Sequence, residues 1–163
     1  MKDKNIIRLV GVGVGAALTI AAFFLFAAPF LSVTGSIGSW STTFVSTGWA
    51  IAFAEEPKPG ILIAWILSLV LMVAVIGVCV MLVLDKLGVV KVGIFENKMA
   101  VMGCAALIAV LGIVVGLLAF LTLPLVGAPD GVGLGIGAIF VGILSILGGC
   151  ASACGLVAPI VMK

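Results

Sequence analysis

Histidine and tyrosine are absent from this 163-residue chain, and only 9% of its residues are charged. A soluble domain of this size carries about 25% charged residues, so the chain has too little polar surface to coat a globule in water. Without histidine it lacks the side chain that most often moves protons near neutral pH. The remaining ionisable residues keep to loops and to the ends of apolar runs, where Arg8 and Asp85 stand. Ionisable groups inside the membrane mark proton relays and ion paths, and their lack argues against a proton-coupled transporter. It also removes the acid–base and base–nucleophile pairs on which enzymes rely, so no enzyme is expected. No cofactor is implied: Gly11, Gly13 and Gly15 lie inside an apolar run, not in a strand–helix phosphate loop. The net charge of +2 is spread over scattered residues without a basic stripe, which gives no surface for nucleic acid.

What the chain does have is apolar length. Residues 6–31, 61–84, 99–123 and 132–161 are each long enough to cross a hydrocarbon core, which takes about 20 residues. Lipid offers no partner to backbone N–H and C=O groups, so these runs must be helices. The expected fold is an all-α integral membrane protein, a single four-transmembrane-helix bundle over residues 1–163. The basic start resembles a signal peptide, but the apolar run from Leu9 to Ala28 is longer than a signal's usual core. It is expected to remain as the first span.

Basic residues set the orientation. Lys2, Lys4 and Arg8 precede span one, Lys86, Lys91 and Lys98 separate spans two and three, and Lys163 ends the chain. Only Lys58 falls on the other side, beside Glu55 and Glu56. Seven of eight basic residues on one side make that side cytoplasmic, with both termini inside, in the plasma membrane. The aromatic residues favour the opposite end: Phe23, Phe24, Phe26, Phe30, Trp65, Phe120 and Phe140 in the spans, and Trp40, Phe44, Trp49 and Phe53 in the outer loop. Trp40, Trp49 and Trp65 are the expected interface anchors.

The outer loop, 32–60, begins rich in Ser, Thr and Gly. Trp40/Phe44 and Trp49/Phe53 are pairs four residues apart, as a helix lying on the membrane would use, and residues 46–54 are a candidate for one. Glu55-Glu56-Pro57-Lys58-Pro59-Gly60 then interrupts the chain. Asn97 is a natural N-cap for span three. Pro124, Gly127 and Pro129-Asp130-Gly131 mark a turn between spans three and four.

Span four carries Gly131, Gly135, Ala138, Gly142, Ser145, Gly149 and Ser152 at alternating spacings of four and three, one smooth stripe on a helix. Span three answers with Ala105, Ala109, Gly112, Gly116 and Ala119, in which Gly112 and Gly116 form a GxxxG pair. Small residues let helix backbones approach closely in lipid, so spans three and four are expected to form a tight antiparallel pair. Gly112, Gly116, Gly135, Gly142, Ser145 and Gly149 are the packing residues. Gly11 and Gly15 repeat the theme weakly in span one, as do Ala64 and Ser68 in span two. Gly137 and Gly148 lie off the stripe, where they are free to line a groove.

Cys79, Cys104, Cys150 and Cys154 all fall in the inner half, with Met81, Met99, Met102 and Met162 at similar depth. Soft sulfur suits Cu(I), yet the spacing matches no standard metal motif. The expectation is that these thiols fill space and hold no metal. Glu55 and Glu56 read as a solvated turn rather than a cation site.

Four spans, inner termini and a long first outer loop with tryptophans resemble the architecture of the claudin and peripheral-myelin tetraspan proteins. Trp40 and Gly48-Trp49 echo that family's loop pattern of tryptophans, glycine and paired cysteines. The loop here has no cysteine, so the family's disulfide has no counterpart, and no functional residue carries over. Three readings of function follow. The first is a non-enzymatic interaction or accessory protein (subunit, modulator or immunity-like) acting by contact with the bilayer and a membrane-protein partner. The second is a homo-oligomeric channel or carrier subunit for a small uncharged solute or ion. The third, weaker, is a soft-metal thiol site.

Overall fold

Each long apolar run forms a helix in the computed structural model. It describes residues 2–37, 40–89, 93–128 and 130–161, the side chains at 2–5, 34–42 and 94 excepted. Lys91, Pro129, Met162, Lys163 and the side chain of Trp40 lie outside the described residues. Helix α1 spans Lys2–Phe24, α3 Pro59–Lys86, α4 Lys98–Phe120 and α6 Ile136–Val161, and all four are long and apolar enough to cross a membrane. Helix α6 packs densely along both α1 and α4, and α3 completes the ring by touching the same two helices. The chain is a four-helix membrane bundle with a close antiparallel α4–α6 pair, as the stripes predict.

Local chemistry sets the helix ends. Pro59 occupies the first helical position of α3, where its missing N–H matters least. The other end closes on Gly88, at φ 73°, with the N–H of Val89 donating to the Leu84 carbonyl at 3.1 Å and that of Gly88 to Asp85 at 3.1 Å. That is a left-handed glycine stop. Asn97 caps α4, its Oδ1 accepting from the N–H groups of Met99 at 3.0 Å and Ala100 at 3.4 Å.

Three predicted helix ends are corrected. Span one was expected to reach Leu31, but α1 ends at Phe24, a 3-10 turn covers Leu25–Ala27, and Pro29 opens a strand. A residue before proline is pushed out of the α region, and Ala28 is extended, at φ −81° and ψ 164°. Span three was expected to reach Leu123, but α4 stops at Phe120 and a separate short helix, α5, covers Thr122–Val126. Pro124 cannot donate to the Phe120 carbonyl, and its ring crowds that oxygen. Span four was expected from Val132, but residues Val132–Leu134 are a strand, β3, and α6 starts at Ile136.

The larger correction is the outer loop. Pro29–Ile37 and Trp40–Thr47 form an antiparallel hairpin, β1 and β2, and β3 adds to the far side of β1 in the order β2-β1-β3. Leu31, Ser32 and Val33 pair with Leu134, Gly133 and Val132. Trp40 and Phe44 therefore belong to a strand, not to a helix on the membrane. β-Branched and hydroxyl residues such as Val33, Thr43 and Val45 suit a pleated surface, and the third strand supplies the support that an isolated hairpin lacks. No cysteine contributes. Of the helix expected over residues 46–54, five residues are helical, α2 (Gly48–Ala52), capped by Thr47 Oγ1 accepting from the Ala50 N–H at 3.1 Å.

Apolar side chains fill the bundle interior. One cluster joins Val12, Leu71, Val75, Leu82, Val101, Ile108 and Leu156. A second, nearer the sheet, joins Phe26, Phe30, Ile51, Ile61, Ala119 and Val141. Phe26 and Phe30 stack at 4.9 Å under Gly48, where any Cβ would lie 2.9 Å from both rings.

Candidate functional site

Helix α6 is the element on which the sequence-predicted residues converge, and it carries two small-residue seams. The first faces α4. A Cβ built on Gly112 would lie 2.6 Å from the Ser145 carbonyl oxygen and 3.0 Å from the Gly149 Cα. One on Gly149 would lie 3.0 Å from both the Gly112 Cα and the Ile108 carbonyl oxygen. One on Gly116 would strike the Ile146 side chain and come within 2.8 Å of the Gly142 carbonyl oxygen, and Gly142 lies beneath the Phe120 ring. The six predicted packing residues divide accordingly. Gly112, Gly116, Gly142, Ser145 and Gly149 meet at the α4–α6 contact. Gly135 does not: it precedes the helix, donates its N–H to the Phe30 carbonyl at 2.7 Å and presses on the Pro29 carbonyl. Gly131, at φ 94°, is a turn residue and also outside the helix.

The second seam faces α1. Gly11 and Gly155 oppose each other, a Cβ on Gly155 falling 2.7 Å from the Gly11 Cα. Gly148 packs on Thr19 and Gly15, and Gly15 on Ser152. Gly148 therefore lines no groove, contrary to its predicted freedom, and Gly137 is closed off by Ala28 and Pro29. Gly148 and Gly155, two turns apart on α6, thus meet Gly15 and Gly11, one turn apart on α1. The hydroxyls here turn back on their own helices: Ser152 donates to the Gly148 carbonyl at 2.8 Å and Thr19 to that of Ala16 at 3.0 Å. Ser145 Oγ is buried with no hydrogen-bond partner among the described residues.

With both seams occupied, the free surface of α6 is bulky near the sheet and smooth at the other end. Ile136, Phe140, Ile143 and Leu147 are exposed near the sheet. Toward the other end lie Ala151, Cys154 and Ala158. A groove of about 530 Å³ runs there between α4 and α6, lined by Met102, Ala106, Ala109, Cys154 and Val157. Another, of about 410 Å³, runs between α1 and α6 past Ile6, Val10, Ala151 and Ala158. A third, of about 430 Å³, lies between α3 and α4 beside Ala74, Cys104 and Leu107.

The four thiols lie on three helices, with Cys150 and Cys154 one turn apart on α6. Cys79 packs against the core on α3, Cys104 is exposed on α4, Cys150 is half-buried and Cys154 exposed on α6. No group of three or more Cys, Asp or Glu is placed to hold a metal among the described residues. Glu55 and Glu56 are exposed.

Trp49 and Trp65, expected as interface anchors, meet in an aromatic cluster that joins α1, α2 and α3. Trp65 meets Phe53 at 5.0 Å, Phe23 at 5.7 Å and Trp49 at 5.9 Å, between ring centroids. The two edge-to-face pairs, with Phe53 and Trp49, each contribute about 0.5–1.5 kcal/mol beyond burial. The Trp65 indole N–H is buried without a partner among the described residues. Comparison with known protein families, with characterised proteins and with solved structures finds no match for this chain.

Proposed function

We propose that the chain is a non-enzymatic multi-pass membrane protein that acts by contact, as a subunit, modulator or immunity-like partner of another membrane protein. The observation that carries this reading is the filled interior. Val12, Leu71, Val75, Val115 and Val141 occupy the space between the helices, so the surfaces left to act are external: the grooves beside α6 and the sheet with its uncharged outer strand β2. The positive-inside rule places the α3–α4 connection and both termini in the cytoplasm, and the sheet outside, in the plasma membrane. Cross-linking in the native membrane, followed by purification in mild detergent and identification of what is attached, tests the reading. A different membrane protein recovered in fixed ratio supports it, and a chain recovered alone counts against it.

The smooth exposed end of α6 favours a second reading, a homo-oligomeric channel or carrier. Ala106, Cys154 and Ala158 would let the helix of another copy approach closely, and any solute path would then run between copies. A symmetric homo-oligomer in the same experiment, with solute flux in vesicles, would select this reading over the first.

A further inference from the structure

Three buried helix stripes end in a cation at the same end of the bundle. Val12 on α1, Leu82 on α3 and Val101 on α4 belong to one buried cluster, against which Leu9 and Phe95 also pack. Arg8 lies one turn beyond Val12, Lys86 one turn beyond Leu82, and Lys98 three residues before Val101. At these spacings each cation shares a helix face with its buried neighbour. Lys86 and Lys98 are exposed, whereas Arg8 is half-buried. The Arg8 Nε is buried with no acceptor among the described residues.

A guanidinium N–H shielded from water and left without an acceptor is destabilising, more so than a neutral donor. Lysines cannot relieve it, since an ammonium only donates. The acidic residues of this end whose side chains are described are Asp85 and Glu96; neither accepts from Arg8 Nε, Glu96 is exposed, and the Asp3 side chain lies outside the described residues. The acceptor that fits is a doubly oxygenated anion brought from outside the chain. Arginine's planar fork matches phosphate, and the two lysines add charge around it. We propose that the basic end of the bundle binds a phosphate, supplied by the headgroup of an anionic lipid and seated on Arg8 between Lys86 and Lys98. The helices leave the hydrocarbon at this end, where headgroup phosphates are concentrated. On the neighbouring face of the same turn of α1, Ile6, Ile7 and Val10 line the apolar groove shared with α6, which gives the lipid's acyl chains a bed. The inference rests on this end alone and holds whether the chain acts by contact or as a channel.

The test is native mass spectrometry of the full chain in neutral detergent, titrated with phosphatidylglycerol or with phosphatidylcholine of the same acyl chains. The anionic lipid should bind about tenfold more tightly. Arg8→Gln should abolish that preference. Lys86→Gln and Lys98→Gln, exposed changes that leave the core intact, should each weaken it about fivefold, in line with the usual contribution of one basic residue at an anionic surface. Lys58→Gln, at the opposite end of α3, should leave it unchanged. Equal binding of the two lipids by the parent chain overturns the proposal. So does a loss from Lys58→Gln as large as that from Lys86→Gln and Lys98→Gln. Displacement of the lipid by millimolar inorganic phosphate would make free phosphate the ligand and overturn the lipid assignment.

Discussion

The same substitution at two glycines of α4 should have opposite signs. At Gly112 an added methyl falls 2.6 Å from the Ser145 carbonyl oxygen and 3.0 Å from the Gly149 Cα. Both are backbone atoms of a facing helix and cannot rotate away, so α4 and α6 must separate by several tenths of an ångström. A gap of about 0.5–1 Å forfeits a quarter to a half of each affected contact, and over-packing typically costs about 1–3 kcal/mol. Lipid supplies no hydrophobic force to draw the helices back. At Gly103, on the same helix, an added methyl meets nothing within 4 Å. There alanine brings only better helix propensity, up to about 1 kcal/mol. Gly112→Ala should therefore unfold earlier than the parent by about 1–3 kcal/mol in a denaturing-detergent titration followed by circular dichroism, and Gly103→Ala at or slightly after the parent. The pair Gly112→Ala/Gly149→Ala should lose less than the sum of the single changes, because helices parted by one methyl have room for the other. Equal midpoints for Gly112→Ala and Gly103→Ala would refute the close approach of α4 and α6.

The α1–α6 seam should respond in the same way: Gly155→Ala is expected to cost about 1–3 kcal/mol in that titration, and Gly77→Ala, in open space on α3, close to nothing. Gly135→Ala should detach β3, because its methyl would strike the Pro29 carbonyl. Hydrogen exchange would then quicken at Leu31 to Val33, while the long helices keep their protection. Replacing the exposed Cys104 and Cys154 by serine should change stability by no more than about 0.5 kcal/mol, and metal analysis of the purified parent should find no stoichiometric copper or zinc. About one ion per chain, lost in the double variant Cys150→Ser/Cys154→Ser, would establish the thiol site instead. Topology can be read with tags: one at Gly127 should report outside, and one between α3 and α4 inside.

The four spans were legible in the sequence because their cause is local. An uninterrupted apolar run in lipid has to satisfy its backbone internally, and only a helix does so. The α4–α6 contact was legible too, since residues three and four apart share a helix face and Gly112, Gly116, Gly142 and Gly149 fall in step. The cap at Asn97 needs only its own neighbours. The sheet was not legible. Val132-Gly133-Leu134 reads as the start of an apolar span, and it becomes a strand only because the edge of β1 stands beside it, at Leu31 to Val33. That pairing joins residues far apart in the chain, so no window of sequence contains it. The second seam was hidden for a related reason: Gly148 and Gly155 lie off the regular stripe, and only the position of α1 shows what they face. Arg8 was visible as a charge at a helix end. That its Nε is buried with no acceptor among the described residues, at the point where α3 and α4 also end in lysines, follows only from how the helices assemble.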